Sequence, residues 1–193
     1  MLAGAPADLL DSYEAERLPV AARALGLSSK LLQKHRDGES DAHKRGKETQ
    51  QLDISYRSGP LGGGTETSSG LASGDRAPDA PCRTASGRPV RLFELFAGPH
   101  WTLLRFGPSA PDVRRPGTSS YEIGRQIVDE GGHAARAYGV PVGSTVLVRP
   151  DGHIGLVSAS TAELEVWLDR VLPAQSRSES VTSMPPTRSA ETL

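Results

Sequence analysis

Cysteine is nearly absent from this sequence: Cys82 is the single thiol in 193 residues. One thiol excludes an internal disulfide and any cysteine-cluster metal site. Hydrophobic residues reach only 36%, below the roughly 45–50% of an ordinary globular domain. Long apolar runs are missing too, and none approaches the ~18 residues of a membrane span. The opening MLAGAPADLLDSYEAE has neither a basic start nor an apolar core, so it does not read as a signal peptide. An excess of one charge sign is also lacking. The formal net charge is −1 and the lysines and arginines are scattered, which removes the basic stripe that nucleic-acid binding needs. These absences predict a soluble cytoplasmic chain with neither nucleic acid nor membrane as a partner.

Glycine and proline are abundant, at 21 and 15 residues. Part of the chain is therefore expected to be linker or tail, around a core of roughly 100 residues. Residues Ala7 to Arg36 read as helix, with Asp8 as a possible N-cap and Leu9, Leu10 and Tyr13 at helical spacing. Pro19 has no N–H for the carbonyl of Ala15, so the helix is expected to kink or restart there. The second piece carries Val20, Ala21, Ala24, Leu25, Leu31 and Leu32 on one side, and such a stripe must be buried somewhere. A helical arm over 1–37 follows. Residues 38–73 then read as a polar and Gly-rich linker, with a short strand near 52–56 where Leu52, Ile54 and Tyr56 alternate with polar residues.

A denser pattern fills 74–172. Arg91 to Phe96 suggests one or two helical turns, and WTLLRF (Trp101 to Phe106) suggests a buried strand stopped by Gly107 and Pro108. Tyr121, Ile123 and Ile127 suggest a further strand, and Gly132 to Tyr138 a short helix. TVLVR, Pro150-Asp151-Gly152 and HIGLV form a hairpin: Pro fixes φ and Gly permits a positive one. Thr161 to Leu172 closes the domain as a helix with Leu164, Trp167, Leu168, Val171 and Leu172 on one face, capped by Thr161. Trp101 and Trp167 are expected as core anchors. Residues 173–193 are Ser-, Pro- and Thr-rich and are expected to be disordered. The sum is an α/β or α+β sandwich.

Chemistry-bearing motifs are few. His35, His43, His100, His133 and His153 show no helical zinc spacing, and no G-x-S-x-G elbow is present. Gly62-Gly63-Gly64-Thr65 sits in a Gly/Ser loop, without the strand before and the helix after that a dinucleotide fingerprint needs. Glu14, Glu16 and Arg17 read as a solvated or domain-contacting face of the first helix. No residue is singled out as catalytic, cofactor-binding or metal-ligating.

Two stretches, LLDSYEAERLPVA (Leu9 to Ala21) and VLVRPDGHIG (Val146 to Gly155), bracket GDRAPDAP (Gly74 to Pro81), GRPVRLFELFAGPHWTLLRFG (Gly87 to Gly107) and AARAYGV (Ala134 to Val140). In this order they resemble the C-terminal third of the group A FAD-dependent aromatic hydroxylases, monooxygenases of phenols and polyketides. The resemblance implies a helix that packs back on the flavin domain, then a thioredoxin-like domain outside the redox step. It implies FAD and NAD(P)H as cofactors of the complete enzyme, with none expected in this chain. The active site and the flavin domain are expected upstream, in a part missing here. Gly74-Asp75 resembles the pair with which the family holds the flavin ribose, but it follows the YEAER helix and reads as the start of the thioredoxin-like domain.

A thioredoxin-like fold raises a dithiol reading, yet Gly-Pro-Ser-Ala-Pro follows WTLLRF and Ser144 stands where a proline is usual. Redox cysteines are therefore not expected. The resulting expectation is a fragment or split subunit, inactive alone. Its partner would be a flavin-domain polypeptide, or a second copy through the arm. Two other readings stay open at this point: an interaction module that docks by its helical arm, and a thiol peroxidase built on Cys82.

Overall fold

The computed structural model describes residues 8–37, 54–62 and 66–172. It begins with one uninterrupted 29-residue helix, α1 (Asp8–Arg36), with Pro19 inside it. The restart expected at Pro19 does not occur. Pro19 removes one intrahelical hydrogen bond, but Ala15, whose carbonyl loses that partner, is exposed, so water can take its place. The apolar stripe expected from Val20 to Leu32 is not buried. Leu25 is 71% exposed and Leu32 53%, and among the described side chains of the helix Ser12 and Glu16 are the buried ones.

Seven strands form one sheet: β1 (Pro81–Thr84), β2 (Pro89–Arg91), β3 (Trp101–Phe106), β4 (Thr118–Ile123), β5 (Ile127–Val128), β6 (Ser144–Val148) and β7 (Ile154–Ser158). Their order is β2-β1-β5-β4-β3-β6-β7. β3 runs parallel to β4 and antiparallel to β6, which pairs antiparallel with β7. Helices α2 (Leu92–Phe96), α3 (His133–Tyr138) and α4 (Thr161–Val171) complete the chain. The four strands β4-β3-β6-β7 with α4 behind them make a mixed α/β, thioredoxin-like sheet, and β5, β1 and β2 widen it on the β4 side.

Period-2 alternation, interrupted in β7 by a register shift in its pairing with β6, assigns each face its own core. Leu104, Phe106, Val146, Val148 and Ile154 point to one side, against Leu92, Phe96, Ala134 and Tyr138. Leu103, Leu147 and Leu156 point to the other, against Leu164, Trp167, Leu168 and Val171 of α4. Trp101 and Trp167 meet edge to face at 5.1 Å, as core anchors do. The hairpin turn closes by a Gly152 N–H donating to the Arg149 carbonyl at 2.9 Å, with Gly152 at φ +80°.

Three further expectations are corrected. Ser160, not Thr161, caps α4 by accepting from the Glu163 N–H. The strand expected over 121–127 is two strands, broken at Gly124. Residues 54–56 form no strand, and Leu52 lies outside the described residues. Residues 54–62 and 66–73 nevertheless pack on the sheet. Tyr56, Leu61 and Ser73 are buried, and the Tyr56 N–H donates to the Gly74 carbonyl at 2.8 Å. The Asp8 cap and the tail from 173 onward lie outside the described side chains.

Candidate functional site at the arm and hairpin junction

Ser12 and Glu16 stand one helical turn apart, on the face of α1 turned to the sheet. On the sheet side, β6 ends at Val148, so Arg149 enters the turn with its side chain directed at the arm. The Arg149 guanidinium donates from both terminal nitrogens to Glu16, Nη1 to Oε1 at 2.9 Å and Nη2 to Oε2 at 2.7 Å. Their side chains are 8% and 1% exposed. This is the bidentate fork that makes arginine–carboxylate pairs strong and directional.

Asp151, two residues on in the turn, accepts from Arg149 Nη2 at 3.0 Å and lies 3.5 Å from Arg17 Nη2 on the arm. Burial alone would raise its pKa. The His153 side chain and the Arg149 charge outweigh that, and its carboxyl is held down at about 2. Burial likewise disfavours the charge on Arg149, yet Glu16 and Asp151 hold it more firmly protonated than usual. Tyr56 sits beneath both arginines, with ring-centroid distances of 5.1 Å to Arg17 and 5.7 Å to Arg149. Its ring also lies 4.6 Å from that of His153. The junction therefore joins α1, the loop at Tyr56 and the hairpin in one buried ionic and aromatic knot. Both Glu16 oxygens are engaged and its side chain is sealed from solvent, so the Glu16–Arg149 pair fixes geometry, while Asp151 and Arg17 stay partly open at the rim.

The residues weighed in the sequence are placed as follows. Glu16 and Arg17 join the knot, whereas Glu14 is exposed. Cys82 is buried in β1, and its thiol is pushed up to about 11 by burial first and then by Asp129 and Asp79. A reactive cysteine needs the opposite setting, with positive neighbours and access. The Gly107–Gly117 connection after β3 holds no helix, so no helix N-terminus is present there to activate a thiolate. Among the described residues no group of three His, Cys, Asp or Glu could hold a metal ion, and His43 lies outside them.

Gly62 and Gly74, from the two glycine motifs, lie in loops ahead of the sheet. Gly62 N–H donates to the Gly59 carbonyl within its own loop at 2.9 Å, and Gly63, Gly64 and Thr65 lie outside the described residues. Gly74 has φ +92°, and a Cβ there would collide with the Tyr56 backbone. The Asp75 carboxylate accepts from Ser55 Oγ at 2.9 Å, Arg57 Nε at 2.7 Å, Arg57 Nη2 at 2.6 Å and Ala72 N–H at 2.9 Å. Its acceptor sites are thus used by protein donors, and the pair builds the loop.

Sequence reasoning passed over Arg149, Asp151, His153 and Tyr56 as a group. One signal was present: a charged residue ending the apolar run TVLV is poorly placed unless a buried partner meets it.

Comparison with known proteins agrees with this architecture. Residues 71–174 match the family model for the C-terminal part of the aromatic-ring hydroxylases. A flavin-dependent monooxygenase of Mycobacteroides abscessus is 38% identical over 170 residues, 88% of this chain and 32% of that protein. The crystal structure of aklavinone-11 hydroxylase, in a ternary complex with FAD and aklavinone, superimposes with a TM-score of 0.69 at 25% identity, over 88% of this chain and 36% of that one. CabE, an aromatic hydroxylase from angucycline biosynthesis, gives a TM-score of 0.56 at 25% identity over the same shares, 88% and 36%. The chain thus spans about a third of the length of these relatives. With more than half of its residues matched, the chain belongs to the aromatic-ring hydroxylase C-terminal family.

Proposed function

We propose that this chain serves as the non-catalytic C-terminal module of an FAD-dependent aromatic or polyketide hydroxylase that uses NAD(P)H. In such an enzyme the reduced flavin and O₂ deliver one oxygen atom to an aromatic ring, and the protein supplies binding and orientation. FAD and NAD(P)H would be held by a polypeptide portion other than this chain. The carrying observation is the Glu16–Arg149 pair, which joins the two most distinctive family motifs and sets the direction of α1. The far half of the helix, with Leu25 and Leu32 exposed, would then meet the flavin-binding portion. No helix among the described residues is long and apolar enough to cross a membrane, and we place the module in the cytoplasm.

The test is flavin retention. The purified chain, mixed with FAD and desalted, is expected to show no visible flavin band. Stoichiometric retention, or NAD(P)H oxidation by the chain alone, contradicts the proposal.

A second reading is favoured by one observation. Leu18, Leu25 and Leu32 follow at seven-residue spacing and are 59%, 71% and 53% exposed. The chain would then be an interaction module that docks through its arm, on a partner or a second copy. Light scattering after size exclusion separates the readings: a stable dimer supports the second, a monomer that binds only the flavin-containing polypeptide supports the first.

A further inference from the structure

Parallel neighbouring strands require a crossover, usually a helix lying across the sheet face. The β3–β4 crossover has none, and the Gly107–Gly117 loop takes its place. On that side β3 presents Arg105 beside Glu122 of β4, in register. Because α4 covers the sheet only toward Leu103, Leu147 and Leu156, the β4 side is left as a polar cleft of about 360 Å³. Arg105, Arg114, Arg115 and Arg125 line it, with Asp112 and Ser120.

Each of these arginines is ion-paired with a carboxylate, but the pairs leave N–H donors over. Arg105 is only 12% exposed at its side chain. Its side-chain hydrogen bond among the described residues runs from Nε to the Ala110 carbonyl at 3.3 Å. Nη1 lies 3.6 Å from Asp112 and 3.7 Å from Glu122, beyond hydrogen-bond reach. Asp112 is already held by the Ser120 hydroxyl at 2.7 Å and by Arg114 Nε at 3.4 Å, and Glu122 by Arg125 Nε at 3.0 Å. Arg115 turns to Asp169. Four guanidiniums thus face three carboxylates. The most buried guanidinium is ion-paired with Asp112 and Glu122, yet its terminal nitrogens make no hydrogen bond among the described residues and so keep donors to offer. A planar fork of N–H donors matches two oxygens of a phosphate group. Arg114 and Arg125, 89% and 71% exposed, can close over a third and fourth.

We propose that this cleft binds a phosphate group, held at its base by the terminal nitrogens of Arg105 and flanked by Arg114 and Arg125. The site lies apart from the arm junction and is independent of the flavin reading.

Isothermal titration of the full chain with inorganic phosphate at pH 8, at fixed ionic strength with chloride and acetate as controls, tests it. Saturable phosphate binding is expected, weakened at least tenfold in Arg105→Gln and severalfold in Arg125→Gln, with unchanged circular dichroism. Absence of phosphate binding above the chloride control overturns the proposal. So does acetate binding equal to that of phosphate, or unaltered binding in Arg105→Gln. Should Arg105→Gln fail to fold, Arg125→Gln decides: a severalfold loss supports the site and no change overturns it.

Discussion

The two halves of α1 are continuous in backbone and opposite in circumstance. The first half turns Ser12 and Glu16 into the domain and closes on Arg149. The second half, from Val20 to Arg36, has no buried residue, although it carries more aliphatic side chains. Apolar content alone therefore does not decide which part of a helix packs. The N-terminal half is placed by a specific charged pair whose members stand 133 positions apart, and the C-terminal half projects wherever that pair directs it. An exposed aliphatic face on a helix aimed by a buried ion pair is what a module that docks on a larger partner should show.

Breaking the ion pair should erase the contrast. Arg149→Ala leaves the Glu16 carboxylate buried without a partner, a change that costs about 3–5 kcal/mol. The denaturation midpoint should fall accordingly, and the first half of α1 should become as open as the second. Glu16→Gln keeps the shape but turns an amide N–H toward a guanidinium, costing roughly 1–3 kcal/mol in chemical denaturation. A double-mutant cycle of the two should show strong coupling, since they form one interaction.

Acid should loosen the same junction. The Asp151 pKa falls from an ordinary 3.8 to about 2 in the folded chain. A depressed carboxyl contributes stability that is fully present above its unfolded pKa and is lost as pH falls through its folded one. The contribution, about 2 kcal/mol for such a shift, should therefore be present above about pH 4 and vanish toward pH 2. Thermal melts across that window should flatten in Asp151→Asn. The smallest effect belongs to the exposed Leu25: Leu25→Ser should change the stability of the chain alone by less than about 0.5 kcal/mol. The same substitution should weaken binding of the flavin-containing polypeptide, measured by titration.

How much of this was legible in the sequence depends on the range of the interaction concerned. The hairpin at Pro150-Asp151-Gly152, the strand at Trp101 to Phe106 and the helix carrying Trp167 rest on local periodicity and turn chemistry, and all three stand. Strands Pro81–Thr84 and Pro89–Arg91 are three or four residues long and carry one buried side chain each, too little alternation to register. The continuity of α1 through Pro19 was misread because local propensity cannot weigh the flanking turns that carry the helix across one missing hydrogen bond. The junction was hidden for a different reason. Glu16 looks like an ordinary surface charge, Arg149 signals only that it ends an apolar run, and the fold alone brings them together. Residues around Tyr56 and Ser73 read as linker from their composition, yet their backbone pairs with the sheet through Gly74.

The most direct test is amide hydrogen exchange along α1, with and without the remaining two thirds of a related hydroxylase supplied as a separate polypeptide. The account predicts protection up to about Arg17 in the chain alone, fast exchange from Val20 to Arg36, and new protection over that second stretch when the polypeptide is added. Equal protection of both halves in the isolated chain, or no change on addition, would contradict it.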